Sequence, residues 1–421
     1  MLTDINAYDI KMLNELALEN LSEQEISSQL EKYLKKYAEC FTRPSQTRYF
    51  EAFEKGILSG LDRKSIEPIA LHFLGEEQVR GMQQFFTRSK DWDENLAPCY
   101  QRQLSERIAG EDGFLCVDES DFVKKGAEFA GVARQYCGRL GKRENSQAGV
   151  FVSYASEKGY GLIDGKLYLP ERWFDDSYSE KRDRCKIPKE VRFQTKNEMA
   201  AQMLGEVIGN GQFPIKWIGC DAAFGSDHVF LDGLADTVCY FAAVKEKEYI
   251  FLSMPDVIIP ENQTAKRGGR YKYPRASSQP AHIQDIAADE SIPWVTRILA
   301  EGAKGPIIAD IKCVRCVSCR KANRLFVPGT EIWVYIRRYE DGTIKYFVSN
   351  APSDTELAVL DKLATMRWSI EQCFQECKSY LGMTHYETRA YPAWHRHMLL
   401  VMIAHLFTIV LRDTLKKTLY S

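Results

Sequence analysis

From Arg367 to Gly382 the chain reads Arg-Trp-Ser-Ile-Glu-Gln-Cys-Phe-Gln-Glu-Cys-Lys-Ser-Tyr-Leu-Gly. If this stretch is one helix, offsets of four and seven return near the same azimuth. Arg367, Glu371, Gln375 and Lys378 then share a face. Trp368, Ile370, Phe374 and Leu381 spread over the remaining surface, which predicts packing on more than one side. A carboxylate flanked by cations has a plain explanation, an i,i+4 ion pair of Arg367 and Glu371 contributing roughly 0.5 kcal/mol. It also has a chemical one, a site for a metal ion or a phosphate. Acids elsewhere in the chain decide between them.

Two further segments read as buried strands that stop at an aspartate: Gly113-Phe-Leu-Cys-Val-Asp118 and Ile215-Lys-Trp-Ile-Gly-Cys-Asp221. Each is a short apolar run ending in a carboxylate and then small or turn-forming residues, the pattern of a strand at the rim of an α/β sheet. Ligands and catalytic groups in such sheets gather at the carboxyl ends of strands. Three carboxylates there suit divalent cations, because magnesium prefers oxygen ligands and completes its shell with substrate phosphate oxygens. Two ions about 3.5–4 Å apart clamp the attacking and leaving oxygens of a phosphodiester displacement. A strand-end aspartate is also a common structural feature, so spacing alone does not choose.

The residues carry a resemblance. Arg367, Glu371 and Lys378 fit the Tyr-x2-Arg-x3-Glu-x6-Lys signature of bacterial insertion-sequence transposases of the DDE superfamily, with Ala364 standing where that signature has Tyr. Asp118-Glu-Ser-Asp-Phe-Val-Lys124-Lys125-Gly126 resembles the first-aspartate motif of that family, which more often reads Asp-Asp-Thr before a Lys-Gly. Arg134-Gln-Tyr136-Cys-Gly138, Asn145-Ser-Gln147, Leu167-Tyr-Leu-Pro170, Tyr346-Phe-Val-Ser-Asn350, His385-Tyr386-Glu387-Thr-Arg389 and Trp394-His-Arg-His397 match patterns from one branch of it. The similarity runs over nearly the whole chain.

The resemblance implies an α/β fold: a ribonuclease H-like mixed-sheet catalytic core, a mostly β insertion and an N-terminal helical DNA-binding region. It implies that Asp118, Asp221 and Glu371 are catalytic and bind two Mg2+ ions per active site, with Mn2+ as a substitute. Arg367, Lys378, Lys124 and Lys125 would meet DNA. The implied activity is cleavage at terminal inverted repeats and strand transfer of the freed 3′-hydroxyl into target DNA. The partner is double-stranded DNA, and a homodimer in the DNA complex is expected because two ends must be paired. The expected place is the bacterial cytoplasm, at the nucleoid. Glu119 and Glu376 are the acids most easily mistaken for catalytic ones, since Glu371 alone satisfies the spacing. The competing classes are a non-catalytic transposase-derived repressor or structural protein, and a nuclease that hydrolyses without strand transfer.

Composition agrees without selecting. A chain of 421 residues suggests two or three domains, and 45% hydrophobic with 27% charged residues is ordinary for a globular protein. The first residues lack a basic region followed by an apolar one, so no signal peptide is expected. The apolar run Met398 to Leu411 is interrupted by His405 and is too short to span a bilayer, which predicts a buried helix. The 12 cysteines are expected as reduced thiols. Cys313, Cys316 and Cys319 resemble half a metal site, but no second pair follows at zinc spacing.

A net charge of −2 argues against a surface that binds nucleic acid everywhere, so distribution matters more. Lys266, Arg267, Arg270, Lys272 and Arg275 form an acid-free run interleaved with tyrosines. Lys312, Arg315, Arg320, Lys321 and Arg324 form a second one-signed stretch. Both are read as phosphate-contacting surface. Trp173, Trp368 and Trp394 offer a stacking surface for a flipped base, although tryptophans more often fill cores.

The elements that must position these residues divide into a helical region (1–110), a first core segment (111–245), a mostly β insertion (246–352) and a last core segment with C-terminal helices (353–421). Ser22-x-x-Glu25 is a capping box. Ser65 to Gly75 and Val79 to Phe86 read as helix, glycine turn, helix, an arrangement able to place a helix in the major groove. Strands are expected at 113–118, near 129–137, 148–155, 215–221 and 237–244, with a helix around 197–209. Asp341-Gly342 between two β-rich runs predicts a hairpin.

Overall fold

The computed structural model describes residues 22–89, 92–235, 238–258, 275–302, 305–322 and 325–419. In chain order come helices α1 (Glu23–Lys35), α2 (Pro44–Leu58), α3 (Ile66–Phe73), α4 (Val79–Thr87) and α5 (Trp92–Ile108). Strands β1 (Phe114–Val123), β2 (Ala133–Cys137), β3 (Lys142–Ser156) and β4 (Gly159–Leu167) follow, then α6 (Lys196–Asn210). Next are β5 (Trp217–Cys220), α7 (Ala222–Gly225), α8 (His228–Ala235), β6 (Cys239–Val244), β7 (Tyr249–Phe251), β8 (Ala281–His282) and α9 (Ile283–Ala288). The chain closes with β9 (Val295–Gly302), β10 (Gly305–Ala322), β11 (Leu325–Arg338), β12 (Ile344–Ser349), α10 (Leu357–Met366), α11 (Trp368–Ser379) and α12 (Tyr391–Leu419).

Contacts divide the chain into two compact units. One comprises residues 1–113, 117–214 and 369–421; the other, 114–116 and 215–368. β12 pairs antiparallel with β6, so strands on both sides of the boundary expected near 245 share the ladder that holds β5 and β6.

In the first unit the helices wrap α12. The Ser22–Glu25 capping box is formed, with Ser22 N donating to Glu25 Oε2 at 2.8 Å and Glu25 N to Ser22 Oγ at 3.3 Å. It starts α1, which buries Ile26, Leu30, Tyr33 and Leu34, one stripe at helical spacing. Tyr33 reaches α12, donating to Ile403 O at 2.9 Å. Gly56 lets α2 approach α3, since a Cβ there would lie 2.5 Å from Ile69. The expected helix, glycine turn and helix are α3, Gly75 at φ +97 and α4. The apolar stretch of α12 satisfies the length and hydropathy of a membrane span, but 89% of it is buried inside the protein, so it is a core helix. The sheet here runs from the rest of β1 through β3 to β2, with β4 also paired to β3.

The second unit's sheet is mixed. Its order is β8-β7-β10-β11-β12-β6-β5, then the opening residues of β1, with β9 paired on β10. β5 and β6 are parallel, joined through α7 and α8. The β11–β12 hairpin turns where Asp341-Gly342 predicted it, with Gly342 at φ +81 and Gly342 N donating to Tyr339 O at 3.0 Å.

Candidate active site

Side chains alternate across a strand, so Cys116, Asp118, Ser120 and Phe122 of β1 point to one face and Glu119 and Asp121 to the other. On the first face the Cys116 thiol donates to Arg367 O at 3.8 Å. Phe122 packs on Phe151 of β3 at 6.3 Å between ring centroids, and Lys378 Nζ lies 5.9 Å from the Phe122 ring. Asp118, half-buried, accepts from Glu119 N at 2.7 Å. On the other face Glu119 is bound to Lys196, the first residue of α6, and Asp121 accepts from Gly138 N at 2.9 Å. Adjacent acids thus have separate duties.

The stretch expected as one helix from Arg367 is two. Arg367 caps the end of α10, with Arg367 N donating to Leu363 O at 3.0 Å, and α11 starts at Trp368. Arg367 keeps helical angles, φ −54 and ψ −32, so the break is slight. Ile370, Cys373, Phe374 and Cys377 bury one side of α11, with Phe374 against Phe151 at 5.3 Å. Glu371 is exposed and Lys378 half-buried. Glu376 points into the core. His405 Nε2 lies 2.5 Å from its Oε2, Tyr160 donates to it at 2.8 Å, and Arg412 is 3.5 Å away. Burial pushes its carboxyl up, but His405 and Arg412 outweigh that and pull it down to about 2.

In the second unit Asp221 ends the apolar β5 and caps α7. Its Oδ1 accepts from Ala223 N at 2.9 Å and Phe224 N at 3.2 Å. Gly225 closes α7 against β6, for a Cβ there would lie 2.0 Å from Ala243 O.

The basic residues are scattered in role. Lys125 is exposed, whereas Lys124 is buried, with its Nζ donating to Tyr386 O at 3.0 Å. Burial, with Arg63 nearby, pulls its ammonium down to about 7. Lys312, also buried, donates to the carbonyls of Ile286, Ala287 and Asp289 at the end of α9. Arg315 holds Ala351 O and Glu331, and Arg320 pairs with Asp232. Lys321 is exposed, 5.8 Å from the rings of Tyr249 and Phe326. Lys266, Arg267, Arg270, Lys272 and Arg324 lie outside the described residues, and of Arg275 only the backbone, paired with Ile258, is described. Trp173 and Trp394 are core, while Trp368 is 52% exposed.

Among the described residues no group of three or more His, Cys, Asp or Glu side chains is gathered as a ready metal site. Cys313, Cys316 and Cys319 lie along β10, and burial pushes their thiols up to about 12, 11 and 12. Sequence reasoning missed the burial of Lys124 and the Glu376–His405 pair; no local pattern announces a partner so far along the chain.

The pattern of a family described as DDE superfamily endonuclease matches residues 36–306, a span containing Asp118 and Asp221 and ending before Glu371. A probable transposase for insertion sequence element IS701 from Microchaete diplosiphon is 27% identical over 227 residues, 52% of this chain and 55% of that protein. The chain thus spans about half the length of this curated relative. Among solved structures, a cryo-EM structure of the piggyBac transposase synaptic complex with hairpin DNA aligns at a TM-score of 0.39 and 10% identity, covering 99% of this chain and 74% of that one.

Proposed function

Because this chain belongs to the DDE superfamily of endonucleases, whose pattern spans 271 of its 421 residues (306 − 36 + 1), we propose that it is an insertion-sequence transposase. In this reading it cleaves DNA at terminal inverted repeats and transfers the freed 3′-hydroxyl into target DNA, acting as a homodimer on paired ends in the bacterial cytoplasm. The helices from Ile66 to Thr87 read the repeats. Ordering β1, the β3–β4 hairpin, α6, β5, α7 with α8, then β6 supports a ribonuclease H-like core, with the strands from β7 to β12 inserted before α11.

One observation carries the site. Cys116 meets the Arg367 carbonyl and Phe122 lies beside Lys378, so strand and following helix advance in the same direction between two anchors. Asp118 is two residues beyond the first anchor on the strand, about 7 Å at about 3.3 Å per residue. Glu371 is four residues beyond it on the helix, about 6 Å at about 1.5 Å per residue. Those rises support a reading in which the two carboxylates stand at similar heights, while Glu119 is bound to Lys196 and Glu376 to His405.

The donor set, carboxylates only, suits a hard cation. Asp118, Asp221 and Glu371 would hold two magnesium ions, or manganese in their place, which when bound acidify water and neutralise charge on the scissile phosphate. The support for this trio is the placement of each acid on its own element rather than a preformed cage. Arg367 and Lys378 would orient the DNA phosphates, as would Lys125, Arg320, Lys321 and the basic run from Lys266 to Arg275.

Incubating the protein with labelled element ends, target plasmid and magnesium tests the proposal. Cut ends joined to target support it. Binding without cuts marks a repressor, and cuts without joining mark a nuclease.

A further inference from the structure

Several motif residues singled out in the sequence have no part in the acidic trio: Lys124, Gly126, Asn145, Gln147, Tyr386 and Arg389. In the structure they form one connected network, all within the first unit. Lys124 N donates to Asn145 O at 2.9 Å, and Asn145 Nδ2 returns bonds to Lys124 O at 2.6 Å and Gly126 O at 3.1 Å. Lys124 Nζ donates to Tyr386 O and stands 3.4 Å from the centroid of the Tyr386 ring. Tyr386 OH donates to Gln147 Oε1 at 2.6 Å, Gln147 Nε2 donates to Ala130 O at 2.6 Å, and Ala130 N donates to Arg389 O at 3.0 Å.

These bonds join three pieces of chain. Lys124 is the residue after β1, six positions beyond Asp118. Asn145 and Gln147 belong to β3. Tyr386 and Arg389 lie in the segment that leaves α11, the helix of Glu371. A second lysine grips the same segment: Lys64, 3% exposed, donates through Nζ to Tyr380 O and through its amide to His385 Nδ1 at 3.1 Å. A buried cation that spends its hydrogen bonds on carbonyls of one loop is a fastening, not a hand held out to DNA.

We propose that Lys124 is a positioning residue, a clasp that fixes the strand bearing Asp118 against the chain leaving the helix that bears Glu371. This rests on the proposed roles of those two carboxylates. Its purpose is physical. Catalytic geometry tolerates errors of about 0.5 Å, and a strand and a helix that are not fastened to each other can slide. An ammonium held on a carbonyl and a ring face at the far end of both elements removes that freedom. The charged or titratable groups around it are Arg63 and Lys64 before α3, His385, Tyr386 and Glu387 in the loop, and His397 of α12. Glu387 is the carboxylate among them, and Arg63 already pairs with it at 2.7 Å.

The test compares the parent with Lys124→Met, Lys124→Arg, Tyr386→Phe and Asp118→Asn, full-length, on labelled end DNA. The expected result for Lys124→Met is end-DNA affinity within about twofold of the parent and an unchanged salt slope. Cleavage, and Mn2+ affinity read by electron paramagnetic resonance, fall about 10–100-fold, the range for groups that orient metal ligands. Lys124→Arg recovers much of both losses. If Lys124→Met fails to fold, Tyr386→Phe, which removes the bond to Gln147 and keeps the ring, is expected to lower both severalfold. Amide exchange reads the clasp without metal or DNA: residues 117–123 and 380–390 exchange at least tenfold faster in the variant, while α2–α5 keep parental rates. Parental cleavage, Mn2+ affinity and exchange overturn the clasp while leaving the transposase reading intact. Weakened DNA binding with a salt slope smaller by about 1 also overturns it, because that marks a phosphate contact. An Asp118→Asn protein that cleaves like the parent sinks the carboxylate roles instead, and exchange then still decides the clasp.

Discussion

Glu376 and His405 face each other at 2.5 Å, with 3% and 1% of their side chains exposed. Removing one partner of a buried pair strands the other, at a cost of about 3–5 kcal/mol. His405→Leu is therefore expected to lower unfolding free energy by about that much in denaturant titrations. The sign with pH follows from a folded value of about 2 against an ordinary 4.5. The contribution is complete above pH 4.5 and disappears as pH falls toward 2. Parent stability should drop over that window more steeply than that of Glu376→Gln; equal slopes would show that the Glu376 carboxyl does not titrate as described.

Asp221→Asn separates chemistry from folding cleanly. Asn caps helices as well as Asp, so α7 and the melting temperature should be unchanged. Loss of a direct cation ligand should cost at least the roughly hundredfold seen for groups that merely orient one. A variant that cuts element ends at the parental rate removes Asp221 from the site.

Glu119→Gln is the matched control. Glu119 is tied to Lys196 across the strand from Asp118, and both side chains are about a quarter exposed. Losing that pair should cost less than about 1 kcal/mol, with cleavage retained. A dead but folded Glu119→Gln protein would exchange the parts assigned to these two neighbours.

Replacing Lys125 should change the salt dependence of DNA binding, whereas replacing Lys124 should not. Lys125→Ala removes an exposed cation, so end-DNA binding should weaken for every sequence and the slope of log affinity against log salt should shrink by about 1. Isotherms from about 50 to 200 mM salt give that slope. An unaltered slope would place Lys125 away from the backbone.

What the sequence disclosed is what local pattern encodes. The apolar run ending in Asp221, the Ser22–Glu25 box and the Asp341-Gly342 turn formed, because each is decided by neighbours a few residues away, whereas the strand expected to stop at Asp118 runs on to Val123, held by its ladder partners. The break at Arg367 carried no signal, for neither proline nor glycine marks it and its angles stay helical. The basic stretch from Lys312 looked uniform in sequence. In space its lysine closes a helix end, and its Arg320 meets Asp232, 88 residues earlier. Lys124 likewise takes its meaning from Tyr386, 262 residues away. Such partners are chosen by topology, which no window of sequence contains.

The cap on α7 has a kinetic corollary. Two amides already pin one oxygen of Asp221, so in the proposed site the side chain would forfeit little rotational entropy on binding a cation, its bearing being settled beforehand. The same amides draw off part of the carboxylate's negative charge, which loosens the grip on any ion it holds. If Asp221 holds an ion as proposed, a ligand that is stiff yet lukewarm would favour quick exchange, with the metal coming and going with each DNA end instead of staying as a permanent fixture.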